Sequence, residues 1–452
     1  MMATSVPGLP LILLGLGAVV AMLLAPRARP GAARAAAALS LAAALVAAIL
    51  RFHASVVPGN MLVDDGMNRL GQALVCLTAL GALAFLRPGA AAREAPALLL
   101  LAALGAVLLC GAVHAATLFL GLELVTLSLV AMFVLPMSRP ALEAGYKLLI
   151  LGGIGAATLL LAVALSYAAT GVLSLDAWSG RGPLVSLGTA LLLAGLAFKL
   201  ALVPFHMWTP DAFSGAPAAA AAFAGTGSKI GVTILLLRLD AAGPPEPLWS
   251  VGLALLAGAS ILLGNLQALR QTSVTRMLGY SSIAHSGYII AIVAAGSALV
   301  PEAALFYLSG YALALIAAMC AAADTGRDSH LGELRGLVWS RPLVGGALAV
   351  SLLSLAGLPA SVGFFGKFYL FTALIIREAW GLLIVAAVGS ALGLYFYARF
   401  AAAVFRQGPD WPPHELCWTD AAVLLLCSLI ILGTGLFPAS LLDLVRMSVN
   451  PG

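Results

Sequence analysis

The sequence predicts an all-α polytopic membrane protein of about fourteen transmembrane helices, and three observations carry that prediction. Of its 452 residues, 62% are hydrophobic and only 9% charged, too little charge to cover a water-soluble surface. The apolar residues gather into segments of about 20, the length that crosses a bilayer as a helix. No segment alternates apolar and polar positions as a barrel strand would. The 48 glycines suit helices that approach closely through small residues. The net charge of +5 is mostly arginine in loops, which implies no nucleic-acid partner.

In chain order the segments fall at residues 8–25, 33–50, 67–86, 96–113, 115–136, 141–169, 184–212, 217–239, 248–269, 277–299, 302–323, 342–376, 380–405 and 418–437. The first lacks a basic leader and ends in Pro26-Arg27 rather than at a small-residue cleavage site, so it reads as a span and not as a signal peptide. With the N-terminus outside, thirteen loop arginines fall on the inner side (27, 29, 34, 87, 93, 139, 270, 276, 327, 335, 341, 399 and 406). Arg51, Arg69, Arg181, Arg238, Arg377 and Arg446 fall on the other. That bias satisfies the positive-inside rule with both termini outside. Cys76, Cys110, Cys320, Cys417 and Cys427 stand singly in apolar context and read as small buried residues, not as metal or iron–sulfur ligands.

Two long segments are broken in their middles, at Val203-Pro204 and at Gly357-Leu358-Pro359. A proline interrupts the helical hydrogen-bond ladder, and the freed groups are tolerated at membrane depth only where protein or a water-filled cavity receives them. With segments four to eight as one set of five and nine to thirteen as another, the broken segment is fourth in each. Interrupted helices at matching positions of two halves point to a repeat-built transporter. The division expected is residues 1–95 (three added helices), 96–240 (first repeat), 241–408 (second repeat) and 409–452 (last helix).

The four lysines, Lys147, Lys199, Lys229 and Lys367, all fall inside apolar segments, whereas the arginines populate the loops. A lysine at membrane depth costs roughly 3 kcal/mol and normally marks an ion or proton path. Unlike arginine, it can release its proton. Glu123 is a carboxylate among apolar neighbours, and Lys147 lies about two turns beyond Pro140 in the next segment, so an antiparallel pair would bring the two together as a charge-coupled switch. His206, just after the first break, and His285, in the tenth segment, alternate with the lysines and suit a relay. Tyr280, Tyr288, Ser281 and Ser282 are candidate water-holding groups, though hydroxyls that pack helices together are the more ordinary reading. His114 marks the turn between segments four and five, and Asp211 is open between structure and function. The glycines at residues 151–155 follow no strand and read as close packing rather than a dinucleotide loop. Residues 324–341 mix both signs and read as a solvated inner loop.

Several motifs occur together: PFHMWTPDAFSGAPAAAAAF at residues 204–223 followed by Ser228-Lys229, Gly264-Asn265-Leu266-Gln267-Ala268-Leu269-Arg270-Gln271, Gly279-Tyr280-Ser281-Ser282-Ile283-Ala284-His285, and SLAGLPASVGFFGKF at residues 354–368. With them the chain resembles the antiporter-like subunits of bacterial proton-pumping NADH:quinone oxidoreductase, respiratory complex I, over nearly its whole length. The resemblance implies fourteen helices with two inverted five-helix repeats, each containing a broken helix, and assigns proton translocation to Glu123, Lys147, Lys199, Lys229 and Lys367. It implies no cofactor on this chain, with NADH, FMN, iron–sulfur clusters and quinone used by other subunits. The partners it implies are the remaining membrane-arm subunits, a neighbouring antiporter-like subunit M and small subunits such as K and J, in a bacterial inner membrane. Subunit M itself carries glutamate where this chain has Lys367, and subunit L carries a long C-terminal extension, so both siblings fit less well. Subunits of sodium/proton antiporter complexes share the core motifs and are the alternative. The paired carboxylates that would hold sodium are missing from the apolar segments. A scaffold without transport is the third reading, and buried lysines are a costly way to build one.

Overall fold

The computed structural model describes residues 8–26, 31–52, 54–86, 93–325, 330–408, 411 and 415–449. Arg27, Arg29, Arg87 and Arg327, which enter the topology count, lie outside the described residues. The described chain is helical throughout and contains no strand, only isolated bridges in its loops.

The helices are α1 (Leu9–Leu24), α2 (Ala32–Leu50), α3 (Gly66–Ala84), α4 (Ala95–Gly111), α5 (Ala115–Val134), α6 (Arg139–Thr170), α7 (Pro183–Lys199), α8 (Trp208–Gly215), α9 (Ala218–Gly225) and α10 (Gly227–Ala241). The series continues with α11 (Leu248–Leu269), α12 (Val274–Ala295), α13 (Val300–Thr325), α14 (Leu337–Ser340), α15 (Pro342–Ala356), α16 (Val362–Ile376), α17 (Trp380–Phe405), α18 (Trp418–Leu436) and α19 (Ala439–Val449). Ends are set by local chemistry. Prolines enter the first turns of α1, α4, α6, α7 and α15, where the missing amide costs nothing. Asp65 caps α3 by accepting from the Asn68 amide at 2.8 Å, and His114 caps α5 through Nδ1 at 3.1 Å from the Ala116 amide. The expected turn at His114 is therefore a helix cap.

Among the described residues, ten helical stretches are long and apolar enough to cross a membrane, and five shorter apolar helices accompany them. Residues 219–239, across α9 and α10, are buried throughout, α12 and α13 nearly so, whereas α6, α17 and α18 turn most of their surface outward. Those outward faces carry Leu160, Leu161, Ile384, Val388, Leu425 and Leu429. An apolar exterior of this extent suits lipid rather than water. The chain is a multi-pass membrane protein.

The seventh segment is split into α7 and α8 and the twelfth into α15 and α16, at the two proline breaks. The eighth segment is also split, between α9 and α10 at Thr226, which leaves helical geometry at φ −121° and ψ −80°. The sequence reading did not foresee that third break. It lies three residues before Lys229, and Gly225-Thr226-Gly227 is its only local signal.

The chain divides into two compact units. Unit 1 comprises residues 1–200, 227–252 and 445–452, with α1–α7 and α10 at its centre. Unit 2 comprises residues 201–226 and 253–444 and contains α8, α9 and α12–α18. Residues 201–226, which carry the first break and His206, therefore pack with the second half of the sequence, although the repeat division groups them with the first. In unit 1, α6 packs along α7, and α10 packs on α3 and α4. In unit 2, α12, α13, α15, α16 and α17 surround the second break.

Candidate functional site

In unit 1, Lys199 and Glu123 meet at the end of α7. Lys199 is the last residue of that helix and is only 8% exposed. Its Nζ lies 3.6 Å from Glu123 Oε1 and donates to the Leu122 carbonyl at 3.3 Å and to Thr126 Oγ1. All three partners lie within one turn of α5, so α5 offers a carboxylate, a hydroxyl and a carbonyl to one ammonium. Thr126 also donates to the Leu122 carbonyl at 2.7 Å, which fixes its rotamer. The approach of α7 to α6 is set by glycines: a Cβ on Gly155 would sit 3.0 Å from the Phe198 ring, beside Lys199 in sequence. The expectation that residues 151–155 serve close packing fits Gly152 and Gly155, while Gly153 faces open space.

The ion pair given to Glu123 is thus with Lys199. Lys147 is not deeply buried. Its side chain is about a third exposed and its Nζ lies 2.5 Å from Oε1 of Glu143, four residues earlier on the same face of α6. Glu143 went unweighed in the sequence, although its i,i+4 spacing to Lys147 is legible there. Lys229 is fully buried on α10. One turn further on, Thr233 keeps a buried hydroxyl with no hydrogen-bond partner, a polar group on the same helical face that the sequence reading passed over.

The break after α7 is satisfied within unit 2. The Val203 amide, freed by the interruption, donates to Ser260 Oγ of α11 at 2.9 Å, and Ser260 donates on to the Leu256 carbonyl. His206 is half-buried on the turn that follows, beside the exposed side chain of Met207. Asp211, left open above, pairs with Arg276 at 2.9 Å.

The second break makes the counterpart site. α15 ends at Ala356, and Gly357 turns the chain at φ +83°. Lys367 of α16 reaches back and donates to the Ala356 carbonyl at 2.7 Å and to Ser390 Oγ of α17 at 3.0 Å. The carbonyl that a continuous helix would have consumed is therefore spent on a buried ammonium. Its Nζ also stands 5.7 Å from the centre of the Tyr288 ring, a cation–π distance. A Cβ on Gly357 would sit 2.6 Å from Lys367 Cδ, so both the positive φ and the lysine's path require glycine.

His285 lies beside this lysine in a cluster of tyrosines. Tyr307 Oη is 2.9 Å from its Nδ1 and Tyr397 Oη 3.0 Å from its Nε2. Tyr311 stacks on the ring at 4.9 Å, and Tyr288 meets it edge-on. Tyr397 also bonds Ser281, Tyr311 donates to Ser282 at 2.8 Å, and Asn265 donates to the Tyr288 hydroxyl at 3.1 Å. Of the hydroxyl residues named from sequence, Tyr288, Ser281 and Ser282 enter this cluster. Tyr307, Tyr311 and Tyr397 were missed because they sit in ordinary apolar runs of α13 and α17, where only tertiary contact shows their role.

A second set of charges is structural. Arg51 and Arg69 close on Asp64, and Arg238 binds Asp65 with two bonds of 2.8 Å and the Cys110 carbonyl at 2.9 Å. Burial alone would raise the Asp65 carboxyl, but the hydrogen bonds and charge of Arg238 outweigh it and hold it below the usual range. Arg69, at 1% exposure, and Arg238 are buried in helices rather than solvated in loops. Arg341 pairs with the buried Asp324 at 3.1 Å, so one part of the expected solvated loop is tied into the helix ends. Cys76, Cys110, Cys320 and Cys427 are buried as expected, but Cys417 is exposed at the head of α18. Among the described residues, no three His, Cys, Asp or Glu side chains come together at metal-binding spacing.

Comparison with known proteins bears on this arrangement. The family model described as NADH:quinone oxidoreductase/Mrp antiporter, TM matches residues 112–393, which contain all seven candidate residues. A relative from Cereibacter sphaeroides named NADH-quinone oxidoreductase subunit N is 59% identical over 441 residues, 98% of each chain. The chain belongs to the NADH-quinone oxidoreductase subunit N family. Among solved structures, a chain of respiratory complex I from Thermus thermophilus is similar to this subunit N family member at TM-score 0.88 and 36% identity, covering 96% of this chain and 99% of that one. A chain of the Mrp complex from a Dietzia species shares the fold at TM-score 0.87 and 22% identity, covering 100% and 98%.

Proposed function

We propose that the chain is a membrane-arm subunit of a proton-translocating NADH:quinone oxidoreductase and moves protons through its buried Lys, Glu and His residues. Family membership and the likeness to a complex I chain support this reading. The observation that carries it is the repeated construction: Lys199 at the end of α7, held by Glu123 and Thr126, and Lys367 at the second break, held by the Ala356 carbonyl. A buried ammonium that can lose its proton, placed where backbone groups receive it, is a group whose charge can be switched.

In this reading Glu123 sets how firmly Lys199 keeps its proton, and Lys147 with Glu143 adjusts the field of Glu123 from the α6 side. Lys199 and Lys229 of unit 1, and His206, His285 and Lys367 of unit 2, are the titratable groups assigned to the path. Moving one charge against the membrane potential costs about 2.3 kcal/mol per 100 mV, so the energy arrives from quinone reduction in other subunits. NADH oxidation, flavin, iron–sulfur clusters and quinone are assigned to those subunits, and this chain is assigned no cofactor. We assign fourteen spans in two inverted five-helix repeats to residues 96–240 and 241–408, residues 1–95 and 409–452 as additions, a bacterial inner membrane, and both termini outside. The neighbours assigned are an antiporter-like subunit M and small subunits such as K and J.

The test is Lys229→Ala in membrane vesicles holding the assembled complex. Proton pumping coupled to NADH oxidation should be abolished or strongly reduced, and wild-type rates with intact stoichiometry would overturn the reading.

A further inference from the structure

Unit 2 contains an unbroken hydrogen-bond chain that the titratable groups do not by themselves require. It runs from Tyr307 Oη through both nitrogens of His285 to Tyr397 Oη and Ser281 Oγ. Every member is at least nine-tenths buried. A small cavity of about 10 Å3 adjoins one end, lined by Lys367, Tyr307, His285, Ser354 and Gly363, and a space of that size holds about one water molecule. Lys367 and Tyr307 thus share a water-sized space, and beyond Tyr307 no gap remains as far as Ser281.

The chain has a direction. Ser281 follows the start of α12 by two turns and Tyr307 follows the start of α13 by two turns, and these consecutive helices begin at opposite ends of the bundle. The α12 start is the end where the Arg399 guanidinium donates to the Gln271 carbonyl at 2.6 Å. The other end is where Arg377 donates to the Ala295 carbonyl at 3.1 Å.

We infer that Tyr307, His285, Tyr397 and Ser281 form a proton wire leading from the Lys367 cavity to Ser281, two turns inside the α12 start. This rests on the proton-translocation reading above. With the hydrogen on Nε2, Tyr307 donates to Nδ1, Nε2 donates to Tyr397, and Tyr397 donates to Ser281. A proton released by Lys367 crosses the cavity to the Tyr307 oxygen, and Tyr307 gives its own hydrogen to Nδ1. Nε2 gives its hydrogen to Tyr397, Tyr397 gives its own to Ser281, and Ser281 gives its own to a water reaching it from the α12 start. One proton enters and one leaves, Lys367 loses its charge, and the imidazole ends neutral in its other tautomer. Hydroxyl rotation and return of the tautomer reset the wire, and the same steps run in reverse for uptake. The titratable groups facing His285 are Tyr288 on its own helix, Tyr307 and Tyr311 from α13, Lys367 from α16 and Tyr397 from α17.

The two phenolic hydroxyls are the discriminating groups, because Tyr→Phe keeps the ring and removes only the link. The experiment measures NADH-driven proton pumping in H2O and D2O, in vesicles holding the assembled complex with wild type, Tyr397→Phe, Tyr307→Phe or Lys367→Ala. Tyr395→Phe, whose ring is exposed on α17, serves as control. We expect both wire variants to lower pumping per NADH at least fivefold at wild-type subunit content and to alter the solvent isotope effect, while Tyr395→Phe changes neither. Wild-type pumping and isotope effect in both wire variants, with Lys367→Ala inactive, would overturn the wire alone. Wild-type pumping in Lys367→Ala as well would overturn the proton-translocation reading on which it rests.

Discussion

Replacing Glu123 by Gln removes a charge from the Lys199 site and leaves its shape. Across 3.6 Å two unit charges attract by about 4.6 kcal/mol at an effective dielectric constant of about 20. Glu123 is about one-fifth exposed, and solvent screening reduces the share that reaches Lys199 to about 2 kcal/mol. The Thr126 and Leu122 bonds remain in the variant, so the lysine stays in place. The assay is NADH-driven pumping against pH in vesicles of equal subunit content. The variant's pumping should fall well below wild type and its pH profile should change. Glu143→Gln serves as comparison, because its pair with Lys147 is largely exposed and its loss costs less than about 1 kcal/mol. Superimposable profiles for Glu123→Gln and wild type, or equal shifts in the two variants, would refute the assignment of Glu123 to Lys199.

Two further outcomes follow from the packing. Gly357→Ala places a Cβ 2.6 Å from Lys367 Cδ at a φ of +83°, so the backbone strain of about 1–2 kcal/mol is joined by displacement of the lysine from the Ala356 carbonyl. Pumping should fall more steeply than the thermal midpoint of the purified complex, and a loss of stability with normal pumping would contradict the role given to the break. Asp65→Asn leaves Arg238 buried without its carboxylate and should cost about 3–5 kcal/mol of stability, read as loss of the subunit from the detergent-solubilised complex. Because the Asp65 carboxyl is held below its ordinary range, its contribution is fully present above the unfolded value of about 3.9 and is lost as pH falls through the lower folded value. The variant should therefore lose to wild type at neutral pH and match it only in strong acid. A constant difference down to pH 2 would contradict the assignment.

The sequence made the apolar segments and both proline breaks legible because each is written locally, in 20-residue hydropathy and in single prolines. Lys199, Lys229 and Lys367 were legible for the same reason, since a lysine within a long apolar run has few structural uses. The partner of Glu123 was not legible. Lys147 and Lys199 both lie in neighbouring segments, and helix rotation, fixed here by the contact of Gly155 with Phe198, decides which one approaches. The tyrosines around His285 were hidden for a similar reason: Tyr307 and Tyr397 lie about 90 residues apart in sequence, and only the packing of α12, α13 and α17 sets both on one imidazole. The exposed-loop reading of the arginines failed at Arg69 and Arg238, whose aspartates sit at the helix end and let the charge be buried.

The most direct test of the account is the number of protons pumped per NADH oxidised by the complex reconstituted in liposomes, compared between wild type and Lys199→Ala, Lys229→Ala and Lys367→Ala. The account predicts that each variant lowers the ratio or stops coupled turnover while the complex stays assembled. An unchanged ratio at wild-type turnover in all three would contradict it.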